Sequence, residues 1–445
     1  MPRAERSARS RSSLARAESQ AREARQRSLQ EGNAGRPAAG ARYARAGLRQ
    51  LGWTEDGKQP DTRQVHEMHH GLAARLLGIL AEWESELGRT EYGLRLLNHA
   101  ERLSLADDRG ILFLQRGLIL MRTGREGDAL KVLDEAVAQL EGNSAETANL
   151  ASALLNRSFA YLSLGQVRRA RTDLVWCRRI ATEEGHDVIV AKALHNLGYC
   201  DLLAGDIPAA LQLFNVAANA YRLSAPGFLL VLATDKAAAL LAAGLARDAA
   251  GELDGAMTSS RRQRLDQNLA EAQLARAQAA VASGELAAAR RWAAAAERRF
   301  RQRGNDAWAC VAELTRLRAR SVSSLRPAPI AAEALLLAER LRGRGLANDA
   351  DMAELLAARA LLAAGHPDEA RRRLGTAGRR RAEVPLAVSL LRRLVRAELA
   401  EREGQTGMAL AELRAGLALV QVRRGRLGRA SRVGGPGDDV EIEHD

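Results

Sequence analysis

The chain has 445 residues, of which 47 % are hydrophobic and 27 % charged, so it is too apolar to be disordered and long enough for several domains or one repeat array. Only 3 % of the residues are aromatic, and the abundant Ala and Leu favour helices over strands. No window approaches 18 uninterrupted apolar residues, which argues against a membrane-spanning helix. The three cysteines, Cys177, Cys200 and Cys310, are too few for a disulfide framework, and we expect them to be buried in a protein of the reducing cytoplasm.

The first residues of the chain carry much of the net charge of +13. Residues 1–50 contain 12 Arg and four Glu, which is a net charge of +8. We predict that residues 1–31 form a basic Arg/Ser-rich arm that is partly disordered. Such an arm can neutralise the phosphates of nucleic acid, or it can be a solvated tail without a partner. A signal-sensing regulatory module, in which this basic N-terminal arm contacts nucleic acid, is therefore the alternative function that the sequence leaves open.

A glycine recurs between two apolar helical segments along most of the chain. The interval between these glycines is close to 40 residues, and the one doubled interval contains a degenerate unit near residues 321–329. The glycines are Gly88, Gly124, Gly165, Gly205, Gly244, Gly284, Gly365 and Gly404. This period indicates a stack of similar structural units.

Small and bulky residues keep the same register around each glycine. Seven residues before it stand Ala81, Gly117, Ser158, Gly198, Ala237, Ala277, Ala358 and Ala397. Nine residues after it stand Leu97, Leu133, Leu174, Phe214, Leu253, Ala293, Leu374 and Leu413. Small residues allow two antiparallel helices to approach, bulky residues fill the groove between them, and the glycine makes the turn. We predict an all-α array of nine or ten helical hairpins over residues 32–421, followed by a disordered tail over residues 422–445.

The pattern of a glycine in the first helix, a glycine at the turn and small residues in the second helix resembles the tetratricopeptide repeat (TPR) family. The resemblance implies a right-handed superhelix whose first helices line a concave groove for a peptide or protein partner. Residues 154–165 and 193–199 in particular resemble the TPR arrays that precede CHAT (caspase-like) protease domains in actinobacteria. Because no space for such a domain follows Gly404, the resemblance implies the recognition half of a CHAT-type system. Similar arrays also serve as sensor halves of helical transcription activators.

Polar residues recur nine positions before the turn glycines, where the first helix is expected to face the groove. An amide offers both a donor and an acceptor, so it can hold the backbone of an extended peptide whatever its side chains are. The predicted partner-binding residues are Gln115, Asn156, Asn196 and Asp235, with Lys192, His195 and Tyr199 beside them. The alternative is that these amides bond neighbouring hairpins within the stack.

One short motif suggests catalysis. Residues His66 to His70 match H-E-x-x-H, which on a helix binds zinc and uses the glutamate as a general base. No second motif supplies a third ligand, and the sequence shows no convincing strand for a metalloprotease fold. We therefore expect a scaffold or sensor without catalytic residues, metal or cofactor. The sequence leaves its oligomeric state open.

Overall fold

The computed structural model describes residues 2–56, 59–61, 65–104, 108–122, 125–259, 266–302, 305–323, 325–376 and 384–433. Twenty α-helices in these ranges pair as antiparallel hairpins, which confirms the predicted all-α repeat architecture. No helix in the described ranges is long and apolar enough to span a membrane.

The helices fall into two compact units. Residues 2–204 and 210–232 form the N-terminal unit, and residues 205–209, 233–259 and 266–433 form the C-terminal unit. The first ten helices are α1 (Pro2–Asn33), α2 (Pro37–Gln50), α3 (His70–Glu86), α4 (Thr90–Leu103), α5 (Arg109–Arg122), α6 (Glu126–Leu140), α7 (Thr147–Ser163), α8 (Val167–Glu183), α9 (Asp187–Ala204) and α10 (Ile207–Ser224). The remaining helices are α11 (Leu229–Ala242), α12 (Ala246–Ser259), α13 (Asp266–Ala282), α14 (Leu286–Gln302), α15 (Asp306–Ser323), α16 (Pro327–Gly343), α17 (Ala347–Ala363), α18 (Pro367–Thr376), α19 (Leu386–Arg402) and α20 (Thr406–Val433).

The predicted turn glycines end the first helix of each hairpin in a left-handed backbone conformation. Gly88 has φ +84°, Gly165 +72° and Gly205 +86°, and the same holds for the other predicted turn glycines among the described residues. A residue with a Cβ rarely adopts this conformation, so glycine is the residue that closes these turns. Gly124 lies outside the described residues. In the degenerate unit α16 begins at Pro327 instead, because proline is pre-organised for the first position of a helix.

The small and bulky residues of the predicted register contact each other between the two helices of a hairpin. Leu133 of α6 packs directly on Gly117 of α5, where a Cβ would lie 2.5 Å from Leu133 Cγ. Leu97, Leu174 and Phe214 at the same position of their hairpins are fully buried. In these four hairpins the bulky residue of the second helix is therefore buried, whereas Leu413 of the last hairpin is 43 % exposed.

The N-terminal segment, which the sequence predicts to be a partly disordered basic arm, is helical over Pro2–Asn33. It forms α1, which packs against α2 and contributes the buried Ala21 and Ser28 to the core. The Ser28 hydroxyl donates to Gly40 O (2.8 Å) and accepts from Trp83 Nε1 (2.9 Å). The segment folds because small residues, rather than an apolar stripe, make its contacts.

A two-stranded antiparallel hairpin lies between α2 and α3, where the sequence showed no convincing strand. Its strands are β1 (Thr54–Asp56) and β2 (Gln59–Asp61), and Thr54 is paired with Asp61. Both strands are short and largely polar, so they lack the alternating apolar pattern by which strands are recognised. At the other end of the chain α20 extends to Val433, beyond the start of the predicted tail, and residues 434–445 lie outside the described residues.

Candidate functional site

Two asparagines mark the open face formed by α7 and α9 in the N-terminal unit. Asn156 in α7 and Asn196 in α9 occupy equivalent positions of neighbouring first helices, and both are partly exposed. One turn further along lie Phe159, which is half exposed, and Tyr199, which is partly exposed. Residues three and four apart share one side of a helix, so each asparagine stands beside an aromatic ring. The face offers amides and rings in two matched rows.

An aromatic cluster supports one end of this face. The Lys192 ammonium lies 4.3 Å from the centroid of the Phe228 ring, and Phe228 stacks on Tyr221 at 5.5 Å. His195 is buried between Phe214 and Tyr221, with ring centroids at 5.7 and 5.9 Å, and its Nδ1 lies 3.4 Å from the Tyr221 hydroxyl. The imidazole is therefore buried behind the face. His195 was expected to contact a partner's side chain, but in the structure it packs against the rings that support the face.

Gln115, another predicted residue, does not line this face. Gln115 is buried against α3 so closely that a Cβ at Gly78 would lie 1.6 Å from Gln115 Oε1. Its Oε1 has no hydrogen-bond partner among the described residues. Asp235 is partly exposed but belongs to the C-terminal unit. Of the seven predicted residues, the structure brings together Asn156, Lys192, Asn196 and Tyr199.

The stack of hairpins in the N-terminal unit closes on itself. The end of α1 contacts the 3-10 turn Pro226–Phe228 that precedes α11. The backbones touch there, because a Cβ at Gly227 would lie 2.4 Å from Gly35 N and 2.9 Å from Asn33 O. Neighbouring first helices from α1 to α9 also contact one another. Sequence reasoning missed this closure, for which the glycine within Pro226-Gly227-Phe228 was the available signal.

A charged cavity of about 550 Å³ lies between α1 and α3 in the same unit. Arg75 in its wall donates from Nε to Asp108 Oδ1 (2.8 Å) and from Nη2 to Glu146 Oε1 (2.7 Å). Arg25 faces the same cavity, and its Nε is buried with no hydrogen-bond partner among the described residues. Burial and the nearby Arg75 guanidinium lower the pKa of Arg25. Charged side chains of α1, the segment predicted to be a partly disordered arm, therefore line part of this cavity.

Arginines of α1 pair with glutamates of the same segment. Arg22 contacts Glu18 and Arg27 contacts Glu23, each at 2.7 Å and one helical turn away. Pairs at this spacing stabilise the helix by a few tenths of a kcal/mol, about 0.2–0.5 each.

The H-E-x-x-H motif does not form a metal site. His66 precedes the 3-10 turn Glu67–His69 in an extended conformation (φ −65°, ψ 139°), so His66 and His70 do not share a helix. His70 Nε2 lies 3.2 Å from Val65 O, and His69 is buried. Within the described part of the chain, no three His, Cys, Asp or Glu residues are grouped so as to hold a metal ion.

Comparison with solved structures identifies the fold. A Rap protein in complex with competence and sporulation factor superposes with a TM-score of 0.51 and 12 % identity, over 93 % of this chain and 99 % of that chain. The fold is a TPR-like helical repeat. A signal transduction ATPase with numerous domains (STAND) and a TPR sensor, from Pyrococcus horikoshii, gives a TM-score of 0.53 at 14 % identity, over 78 % of this chain and 52 % of that chain. No known protein-family profile matches the TPR-like chain, and no curated protein matches its sequence.

Proposed function

We propose that the face of α7 and α9 that carries Asn156 and Asn196 binds an extended segment of a peptide or protein partner, and that the chain acts by recognition rather than catalysis. The observation that carries this proposal is the equivalent placement of Asn156 and Asn196 on the contacting helices α7 and α9. Side-chain amides at such a spacing donate to and accept from the backbone of an extended chain, independently of its sequence.

The neighbouring side chains supply sequence preference. Phe159 and Tyr199 offer ring surface to apolar side chains of the partner, and Lys192 attracts an acidic one. The closure of the stack by α1 limits how the partner enters, so an extended segment fits better than a folded domain. The same fold holds competence and sporulation factor in the Rap complex.

A second part of the proposal concerns the effector protein that would act when a partner is bound. The sequence resemblance to arrays that precede CHAT domains favours a caspase-like effector that another chain supplies. All three cysteines of the chain are buried and burial raises their thiol pKa values, so none of them is placed as an exposed nucleophile.

Selection from a random-peptide display library tests the binding proposal. The full chain is the bait, and Asn156→Ala/Asn196→Ala protein is used for counter-selection. We expect peptides that bind the wild-type chain and lose at least about tenfold in affinity on the double variant, which corresponds to the net value of one or two hydrogen bonds. The matched control is Asn219→Ala, which removes an exposed amide from the second helix α10 and should leave affinity unchanged.

Two results would reject the proposal. One is the absence of any enriched peptide, and the other is equal affinity for the wild-type chain and the double variant. Circular dichroism melting of all three proteins shows whether each variant keeps the fold.

A further inference from the structure

One arginine in the cavity between α1 and α3 has a buried N–H group without an acceptor. Arg25 lines this cavity, and its Nε is buried with no hydrogen-bond partner among the described residues. Burial lowers the pKa of Arg25, and the Arg75 guanidinium lowers it further; the Glu146 carboxylate acts in the opposite direction but does not offset them. The charged form of Arg25 is therefore less stable here than in water, and an anion in the cavity would stabilise it.

The carboxylates beside the cavity are bound by another arginine. Arg75 donates from Nε to Asp108 Oδ1 (2.8 Å) and from Nη2 to Glu146 Oε1 (2.7 Å). Both carboxylates belong to buried residues, and the Asn149 amide also donates to Glu146 Oε2. These contacts direct the two carboxylates towards Arg75. Neither of them accepts a hydrogen bond from Arg25 Nε.

A second arginine in the wall can also reach an anion. Arg22 lines the same cavity, three residues before Arg25 and therefore on the same side of α1. Its partner is Glu18, and the Arg22 side chain in this pair is exposed. Exposed ion pairs contribute little to stability, so Arg22 can turn from Glu18 to a bound anion with little loss. Arg22 and Arg25 thus offer two neighbouring guanidinium groups.

The apolar part of the wall indicates what else the ligand carries. Leu29 of α1 and Leu72 of α3 line the cavity, and both pack against the core of the N-terminal unit. The cavity volume of about 550 Å³ is in the range of small-molecule sites. Guanidinium groups and leucines in one small cavity match a ligand with one anionic end and a short hydrocarbon chain.

We propose that this cavity binds a small aliphatic carboxylic acid in its ionised form. The ligand's carboxylate accepts hydrogen bonds from Arg25 and Arg22, whose planar groups match it in geometry. Its hydrocarbon chain contacts Leu29 and Leu72. A monoanion suits the site better than a phosphate dianion, because the two buried carboxylates on Arg75 repel additional negative charge. The residues that line the cavity belong to α1, α3 and the start of α5, so this site is separate from the proposed peptide-binding face.

Isothermal titration calorimetry of the full chain with hexanoate tests the site. We expect saturable binding to the wild-type chain and a loss of at least about tenfold in affinity for Arg25→Met, because the paired hydrogen bonds to the carboxylate are removed. Arg22→Met, which alters an exposed side chain, should weaken binding by a smaller factor. The matched control is Arg27→Met, which removes an exposed arginine of the same helix and should leave the affinity unchanged.

Thermal melting with hexanoate gives a second readout. Hexanoate should raise the melting temperature of the wild-type chain and of Arg27→Met, and should leave that of Arg25→Met unchanged, since a ligand stabilises only the state that binds it. Melting without hexanoate shows whether each variant keeps the fold. A rise of the same size in Arg25→Met would contradict the assigned role of Arg25.

Three further probes test the class of ligand. Hexan-1-ol has the same chain without the charge, inorganic phosphate has charge without a chain, and butanoate has a shorter chain. We expect the alcohol and phosphate to bind at least about tenfold more weakly than hexanoate. Butanoate should bind more weakly by up to about fourfold for each methylene that it lacks.

Three results would overturn the proposal. The first is the absence of hexanoate binding to the wild-type chain up to about 10 mM. The second is equal affinity of hexanoate for the wild-type chain and Arg25→Met. The third is binding of phosphate or hexan-1-ol that is as tight as that of hexanoate.

Discussion

Phe214 packs directly on the backbone of Gly198, where a Cβ would lie 2.8 Å from Phe214 Cε1. The small residue belongs to the first helix of the hairpin and the bulky residue to the second. The first prediction follows from this contact. Gly198→Val forces the fully buried Phe214 ring out of place, so it should lower the free energy of unfolding by about 1–3 kcal/mol.

Chemical denaturation measures this change, and Gly251→Ala is the matched control. A Cβ at Gly251 of α12 meets no atom within 4 Å. Because alanine favours the helix over glycine, the control should gain about 0.5–1 kcal/mol. If Gly198→Val is as stable as the wild-type chain, the small and bulky register does not hold the hairpins together.

A second prediction concerns the bidentate salt bridge between Arg157 and Asp173. Arg157 donates from Nε and Nη2 to the two carboxylate oxygens, both at 2.8 Å, and Asp173 is buried. Arg157→Met leaves that carboxylate buried without its partner and should cost about 2 kcal/mol, less than for a fully enclosed pair because Arg157 keeps some contact with water. Urea denaturation of Arg157→Met and of Arg157→Met/Asp173→Leu gives both values.

The double variant should recover most of the lost stability, since no buried charge is left unpaired; Asp134, which also contacts Arg157, is half exposed. Arg125→Met removes the partner of Asp128 from an exposed ion pair and should change stability by less than about 0.5 kcal/mol. Equal losses for the buried and the exposed pair would contradict this account.

The cysteine thiols provide a third prediction. Burial raises the pKa of Cys177 to about 12 and that of Cys200 to about 11, from an ordinary value of 9.0. Because the thiolate is the reactive form, neither side chain should be alkylated at pH 8 until the chain unfolds. Mass spectrometry after iodoacetamide treatment, with and without denaturant, measures the labelling. Rapid labelling of the native protein at either site would show that the core is open there.

The same shifts fix the sign of a pH effect. The unfolded thiols ionise near pH 9, whereas the folded thiols remain protonated. Their contribution to stability is therefore complete below pH 9 and is lost as the pH rises towards about 11 to 12. A melting temperature that increases across this range in the wild-type chain but not in Cys177→Ala/Cys200→Ala would have the wrong sign.

A fourth prediction is that two arginines in the wall of the cavity contribute differently to stability. Arg75 holds Asp108 and Glu146, so Arg75→Met strands two carboxylates and should cost about 2 kcal/mol or more. Arg25 has a buried Nε without a partner, so Arg25→Met should be neutral or stabilising. Thermal melting compares the two variants, and a larger loss for Arg25→Met would refute the assigned roles.

Local periodicity predicted the hairpins well because their packing repeats within each unit of about 40 residues. The turn glycines, the small residues at Gly117 and Gly198, and the burial of Leu133 follow from sequence spacing alone. Features that depend on distant segments were not predictable in this way. The contact of Gly227 with Gly35 joins parts of the chain that share no pattern.

The same limit explains the differences between prediction and structure at the N terminus and at the proposed binding face. Ser28 and Trp83 hold α1 through one hydrogen bond and close packing. The composition of an Arg- and Ser-rich segment does not predict such a contact. Spacing placed His195 near Asn196 but gave no sign that the rings of Phe214 and Tyr221 enclose it.

We propose above that a peptide occupies the face of α7 and α9 beside Asn156 and Asn196. Photo-crosslinking from benzoylphenylalanine at Phe159, with a peptide from the display selection, tests this location most directly. Phe159 is half exposed beside the asparagines, whereas the equally exposed Val216 lies on the second helix α10 and serves as the control position. We expect crosslinked peptide when benzoylphenylalanine is at position 159 and none when it is at position 216. Crosslinking from position 216 alone, or equally from both, would contradict it.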